Sequence, residues 1–160
     1  MKEINPVCFL RNVLSSRPAA FADIKGSEKY PEICGKVYFY SVSCKTYLLW
    51  EIHGLPKKEP CGIFAFHIHE GKCCKSDKDM FDEAMSHYNP RKTKHPCHAG
   101  DLPPLFANDS CAFGSVLTER FKPCDVIGRT VIVHLGMDDF KTDPSGNSGE
   151  RIACGEIKGL

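Results

Sequence analysis

The chain has 160 residues, 42% of them hydrophobic and 26% charged, so it has the composition of a globular protein rather than a disordered one. A domain of this length can bury a substantial core without additional cross-links. The formal net charge of +1 argues against the broad positive field of a nucleic-acid-binding protein, and we expect no nucleic-acid partner.

The first 18 residues predict a helical extension that precedes the main domain. Phe9, Leu10, Val13 and Leu14 have the spacing of one helix face, and Pro18 ends the segment. We expect a short helix that covers one edge of a sheet. Its apolar stretch is too short for a signal peptide, and no run is long enough to cross a membrane. These observations predict a cytoplasmic location and no membrane partner.

From residue 19 the chain changes to a β pattern that continues to residue 160. Two long polar loops interrupt it, one over residues 70–104 and one between His134 and Arg151, and loops of this length are usually functional. Many short strands with almost no helix favour an all-β sandwich or barrel as the second unit, residues 19–160. The predicted strands are residues 19–25, 36–41, 46–53, 62–69, 111–119, 129–134 and 151–157.

Three of the seven histidines lie at positions on the predicted strands that suit metal ligands. His67 and His69 lie two residues apart on a predicted strand, so both imidazoles project from the same face while Phe66 and Ile68 point into the core. His134 ends the apolar run 131–133, at a strand end where metal ligands are commonly mounted.

The first long loop carries His87, His95, His98 and Asp101. Three imidazoles and one carboxylate make the tetrahedral ligand set typical of zinc. The compact spacing from His95 to Asp101 allows one irregular turn to surround a metal ion. His53 is left without a role, and we expect it on the solvent face.

These residues together resemble the copper/zinc superoxide dismutase family. The resemblance extends from about residue 19 to the C-terminus. It is to bacterial rather than animal members, because only Pro96 and Cys97 separate His95 from His98. It implies a Greek-key β-sandwich of about eight strands, similar to the immunoglobulin architecture. The motifs that carry it are FHIHE (66–70), HYNP (87–90), HAGDL (98–102), IGRTVIVH (127–134) and GNSGERIACG (146–155).

The resemblance also implies the two metal sites. Copper is expected to bind His67, His69, His87 and His134. Zinc is expected to bind His87, His95, His98 and Asp101, with the ring of His87 as a bridge between the two metals.

Further roles are implied at four positions. Asp138 is expected to link a copper-ligand histidine to a zinc-ligand histidine, and Arg151 is expected to hold the substrate anion beside copper. Cys154 is expected to form a disulfide with a cysteine of the loop after His69. Cys74 has the better spacing for this bond, and Cys73 is the alternative partner.

The implied function is disproportionation of superoxide to oxygen and hydrogen peroxide by one-electron cycling of copper beside a structural zinc, with His87 as the proton donor. The alternative is a non-catalytic copper-binding protein for storage or delivery, which needs the same histidines but not Arg151. The family contains monomers and dimers, so the resemblance also allows a homodimer.

The loop between His134 and Arg151 is abbreviated compared with the family that the chain resembles. It is also mainly acidic, and so is poorly suited to attract an anion. We hypothesise that Arg91, Lys92 and Lys94, in the loop beside His87, supply the positive field instead.

Overall fold

The computed structural model describes residues 5–57, 60–75 and 81–160. Within these segments the chain forms two α-helices, nine strands and two short 3-10 turns, and no helix is long and apolar enough to cross a membrane. The helices are α1 (Pro6–Leu14) and α2 (Pro123–Val126). The strands are β1 (Ala20–Gly26), β2 (Cys34–Val42), β3 (Lys45–His53), β4 (Ile63–Phe64), β5 (Phe66–His69), β6 (Leu105–Phe106), β7 (Ala112–Thr118), β8 (Thr130–His134) and β9 (Arg151–Gly159).

Seven of the strands form one antiparallel sheet in the order β5-β8-β9-β1-β2-β3-β7, and β4 pairs with β6 in a small second sheet. The chain crosses from one side of the large sheet to the other between β3 and β5 and again between β7 and β8. This order is of the Greek-key type, and the predicted all-β fold is confirmed. β6 and α2 have no counterpart among the predicted elements, because segments of two and four residues are too short to show a periodic pattern.

The large sheet curls around a single main core. Four strands separate β3 from β5 in the sheet order, yet the rings of Trp50 on β3 and Phe66 on β5 lie 5.6 Å apart. Inward-facing residues such as Val37, Ile52 and Val133 are completely buried between the two halves. The curled sheet therefore buries its own inner face, as a sandwich does.

The predicted strand over residues 62–69 is divided at Ala65 into β4 and β5. The N–H group of Ala65 donates to the carbonyl of Gly136 at 2.8 Å, and its carbonyl accepts from the N–H group of His134 at 2.9 Å. β4 pairs with β6, whereas β5 pairs with β8. The chain changes sheets at this residue, which brings the start of β5 next to His134.

Helix α1 covers the outer face of β2 and β3 and not a sheet edge, so that expectation was wrong. The rings of Phe9 and Tyr47 meet edge to face with centroids 5.8 Å apart. Val13 is buried with Tyr40 and Tyr47 in a small cluster separate from the main core. The other two apolar residues of the predicted helix face are exposed. The division of the chain at residues 18 and 19 stays a prediction.

Candidate metal centre

Strand β5 presents two imidazoles side by side. Phe66 and Ile68 are fully buried in the main core, as the alternation predicted. His67 and His69 lie on the other face of β5 and are also buried, because the first long loop covers them.

Backbone hydrogen bonds attach that loop to β5. The N–H group of Ile68 donates to the carbonyl of Gly100 at 2.9 Å, Gly100 donates to Tyr88 at 2.9 Å, and Tyr88 donates to Ile68 at 2.8 Å. A Cβ atom on Gly100 would lie 2.2 Å from the carbonyl oxygen of Ile68, so only glycine allows this close approach. The attachment places His87 and Asp101 directly beside β5.

Two buried groups of side chains result. The first, which we call the four-histidine cluster, consists of His67, His69, His87 and His134. The second, which we call the mixed cluster, consists of His87, His95, His98 and Asp101. In each cluster, one potential ligand atom from every residue lies within 4.8 Å of the others, and His87 belongs to both.

The two ring nitrogens of His87 face different clusters. Nδ1 lies 2.8 Å from Oδ1 of Asp101 in the mixed cluster. Nε2 is buried and has no hydrogen-bond partner among the residues that the structure describes. This ring is therefore positioned to bridge two ions.

Several other ring nitrogens in the clusters lack hydrogen bonds. The Nδ1 atoms of His67, His95 and His98 are all buried and have no hydrogen-bond partner within residues 5–57, 60–75 and 81–160. The last two lie 3.2 and 3.3 Å from oxygens of Asp101 but without the alignment of a hydrogen bond. Burying such groups unsatisfied is costly, and metal coordination would satisfy them. Four imidazoles suit Cu(II), and three imidazoles with a carboxylate suit zinc, so the residues fit the two metals.

Asp138 lies within hydrogen-bond distance of one histidine from each cluster. Its Oδ2 lies 2.8 Å from Nε2 of His67, and its Oδ1 lies 2.8 Å from Nε2 of His95. Burial opposes ionisation of this carboxyl group, but hydrogen bonds from His67, from the backbone N–H of Phe140 and from His95 outweigh it and lower its pKa to about 2. The carboxylate therefore accepts both ring N–H groups and leaves the opposite ring nitrogens, the two Nδ1 atoms, for metal.

Gly146 makes room for this connection. Its φ of +66° favours glycine, and a Cβ atom there would lie 2.1 Å from Oδ1 of Asp138 and 2.7 Å from Nε2 of His95. A side chain at this position would displace the hydrogen bond between the aspartate and the imidazole.

Backbone carbonyls orient the remaining two histidines. Nδ1 of His69 lies 2.9 Å from the carbonyl oxygen of Met85, and Nδ1 of His134 lies 3.3 Å from that of Gly149. The two Nε2 atoms consequently face each other at 3.3 Å. Burial, followed by the neighbouring imidazoles, holds the pKa of both rings well below the usual value, which favours the neutral form that binds metal.

Arg151 begins β9 opposite His134 in the β8–β9 register. Its guanidinium donates from Nη1 to the carbonyl of Phe81 at 2.7 Å and from Nη2 to that of Met85 at 2.6 Å. The carbonyl of Met85 therefore contacts both Arg151 and His69. This arrangement holds a permanently charged donor beside the four-histidine cluster.

Cys74 and Cys154 form a disulfide with Cα atoms 5.7 Å apart, and Cys73 is free. The structure thus selects the first of the two predicted partners. Arg151 and Cys154 on β9 hold the same loop, the arginine by hydrogen bonds and the cysteine by a covalent bond.

The other predicted residues lie outside both clusters. Arg91, Lys92 and Lys94 are exposed on the loop between His87 and His95. His53 is exposed and its Nε2 lies 2.9 Å from Oε1 of Glu51, in agreement with its expected solvent-facing position.

The chain is similar in sequence to known copper/zinc superoxide dismutases. The family model described as copper/zinc superoxide dismutase matches residues 33–157. "Superoxide dismutase [Cu-Zn] 1" of Aquifex aeolicus is 35% identical over 146 residues, covering 79% of this chain and 81% of the relative. "Superoxide dismutase [Cu-Zn]" of Escherichia coli K12 is 38% identical over 117 residues, covering 64% and 68%. The protein of the same name from Deinococcus radiodurans is 29% identical over 163 residues, covering 90% and 86%.

Proposed function

Because the chain belongs to the copper/zinc superoxide dismutase family, we propose that its two buried clusters hold the two metals of this activity. The protein is a superoxide dismutase, an oxidoreductase that converts superoxide to oxygen and hydrogen peroxide and uses copper and zinc. The individual roles of its residues follow as proposals.

We assign copper to the four-histidine cluster and zinc to the mixed cluster. The observation that carries this assignment is the position of His87, whose Nδ1 faces the mixed cluster while its Nε2 is buried and has no hydrogen-bond partner in the described part of the chain. Copper bound there would supply one-electron redox chemistry, which the conversion of two superoxide ions to one oxygen and one hydrogen peroxide requires.

Forming hydrogen peroxide from two superoxide ions takes two protons. We assign one of them to His87 and the other to water, and the protein residues also supply the orientation. Nε2 of His87 is the atom that carries a proton to the reduced substrate. Its Nδ1 stays beside Asp101, so the ring keeps its place while Nε2 takes up and releases the proton. Asp138 holds His67 and His95 in the tautomers that present Nδ1 to the metals.

Arg151 is the anion-binding residue in this proposal. Guanidinium carries five N–H donors, and two are used by the carbonyls of Phe81 and Met85. The remaining donors are available to a small anion next to the four-histidine cluster, and their charge persists at every physiological pH.

We expect Arg151→Ala to lower kcat/KM for superoxide by about 10- to 100-fold, because a hydrogen bond to a charged group contributes about 1.5–3 kcal/mol. Pulse radiolysis of the metal-loaded protein measures the rate, and metal analysis verifies equal loading. Arg129→Ala is a matched control, since Arg129 donates to the carbonyl of Glu70 in the same loop but belongs to neither cluster. An unchanged rate in the Arg151 variant would remove this residue from the mechanism.

The experiment that tests the function is reconstitution with copper and zinc, followed by metal analysis, the Cu(II) spectrum and a dismutation assay on the same sample. Turnover with one copper and one zinc per chain is the expected result. A normal Cu(II) spectrum without turnover would favour the alternative of a copper storage or delivery protein. Failure to bind either metal would reject both functions.

We also propose that Arg91, Lys92 and Lys94 attract superoxide. All three are exposed and make no ion pair with another described residue. Replacing the three with glutamine is expected to lower the second-order rate constant by about two- to tenfold at low salt and to flatten its dependence on ionic strength. The matched control removes the same charge from Lys25, Lys122 and Lys158, which are also exposed and also make no ion pair with another described residue. Equal effects in both variants would refute a local role for the loop.

The homodimer and the cytoplasmic location predicted from the sequence stay predictions. Analytical ultracentrifugation of the metal-loaded protein tests the first, and fractionation of the source cells tests the second.

A further inference from the structure

Arg120 contacts the segment that carries most of the mixed cluster. Its Nη1 donates to the carbonyl oxygens of Pro96, His98 and Asp101 at 3.3, 3.1 and 3.0 Å. His98 and Asp101 are members of the mixed cluster, and Pro96 directly follows a third member, His95. The two N–H groups of one guanidinium nitrogen are therefore shared among three carbonyls within six residues.

The main sheet fixes the position of Arg120. The residue follows the end of β7, and its backbone N–H donates to Oγ1 of Thr118 at 3.2 Å. The next residue, Phe121, is buried, and its carbonyl accepts from Oγ1 of Thr46 on β3 at 2.8 Å. Arg120 is consequently attached to β3 and β7, and its side chain fixes the loop relative to these two strands.

A cationic donor suits the three carbonyls that Arg120 contacts. Their oxygens converge on one point, so their dipoles repel one another when nothing lies between them. Among the hydrogen bonds of the described segments, the carbonyls of Pro96 and Asp101 have no other donor. A guanidinium is permanently charged and planar, and it satisfies several acceptors at once.

We propose that Arg120 is a positioning residue for the zinc site. It holds residues 96–101 in the conformation that binds zinc before the metal arrives, without contacting metal or substrate. The inference rests on the proposed assignment of zinc to the mixed cluster. Partners of this kind affect metal affinity by about 10- to 100-fold when they are removed.

The test compares Arg120→Met, Arg120→Lys and Arg91→Met in the full-length, metal-free protein. Arg91→Met is the matched control. It removes one positive charge from the loop that carries the mixed cluster, without removing a hydrogen bond to that cluster. Zinc affinity is measured by competition with a chelator, and Co²⁺ is added as a spectroscopic probe of tetrahedral geometry. Copper affinity and the unfolding midpoint of the metal-free protein are measured in parallel.

For Arg120→Met we expect zinc affinity to fall by about 10- to 100-fold and the Co²⁺ bands to weaken, with a smaller change in copper affinity. Arg120→Lys should lie between this variant and the wild type, and Arg91→Met should match the wild type. If Arg120→Met does not fold, Arg120→Lys carries the test, because it keeps the charge but not the planar fork.

Wild-type zinc affinity and Co²⁺ bands in the Arg120 variants would overturn the proposal while leaving the zinc site intact. A parallel fall in copper affinity, zinc affinity and metal-free stability would also overturn it, by showing a general structural role. A wild-type protein that binds no zinc would instead overturn the zinc assignment itself, and this proposal with it.

Discussion

Replacing Asp138 with alanine is expected to weaken zinc binding by about 10- to 100-fold, with a smaller loss of copper affinity. The carboxylate accepts N–H groups from His67 and His95, both at 2.8 Å. Its removal leaves two buried N–H groups without an acceptor, each costing about 1–3 kcal/mol, so we also expect the metal-free protein to lose about 2–6 kcal/mol of stability.

The asymmetry between the metals follows from the way each histidine is held. His67 lies on β5, and the hydrogen-bond ladder with β8 fixes its backbone. His95 lies on a loop and has no such ladder. Its ring is held by the hydrogen bond to Asp138, and its backbone N–H donates to Oδ1 of Asp143 at 3.1 Å. Losing Asp138 therefore frees the zinc-side ring more than the copper-side ring.

The measurement is competition of the metal-free protein with chelators for Zn²⁺ and for Cu²⁺, together with chemical denaturation followed by circular dichroism. Asp139→Ala is the control, since Asp139 is the exposed neighbour whose carboxylate accepts from Thr142 within its own loop. An equal loss of zinc affinity and copper affinity in the Asp138 variant would contradict the argument that His95 depends more on Asp138 because it lies on a loop.

The second large effect is expected for the disulfide. Cys74 and Cys154 are 80 residues apart in sequence, and in the chain-entropy model a cross-link closing a loop of that length contributes about 4–5 kcal/mol. Domains of this kind have a total stability of about 5–15 kcal/mol, so Cys74→Ser should remove a large fraction of it.

Denaturant unfolding of the metal-free protein under oxidising conditions measures this difference. Cys73→Ser is the matched control, because it changes the neighbouring thiol and leaves the disulfide in place. Equal stability of the two variants would mean either that Cys73 replaces Cys74 as the partner of Cys154 or that the cross-link contributes little. Mapping the disulfide in Cys74→Ser separates these explanations.

The features that depend on local periodicity were predictable from the sequence. The alternation at Phe66, His67, Ile68 and His69 specified which side chains enter the core, because a strand has a period of two. The predicted strands over residues 36–41 and 46–53 were equally clear, because two β-rich runs flank a short turn, and they form the paired strands β2 and β3.

Features that depend on tertiary contacts were not predictable. The division of the strand at Ala65 requires pairing with Gly136 and His134, which are about 70 residues away in sequence. The bond between His69 and the carbonyl of Met85 has no sequence signal, because every residue carries a carbonyl group. Arg120 was missed for the same reason, since its acceptors are all backbone oxygens.

Trp50 is the only tryptophan of the chain, and it packs in the core against Phe66, the residue that precedes His67 on β5. The indole emission of the protein therefore originates from one place, between the two halves of the curled sheet and against the residue next to His67 in sequence. Unfolding would expose the indole to water and shift the emission to longer wavelength, whereas bound Cu²⁺ would quench it. A single optical signal thus distinguishes loss of the fold from loading of the metal.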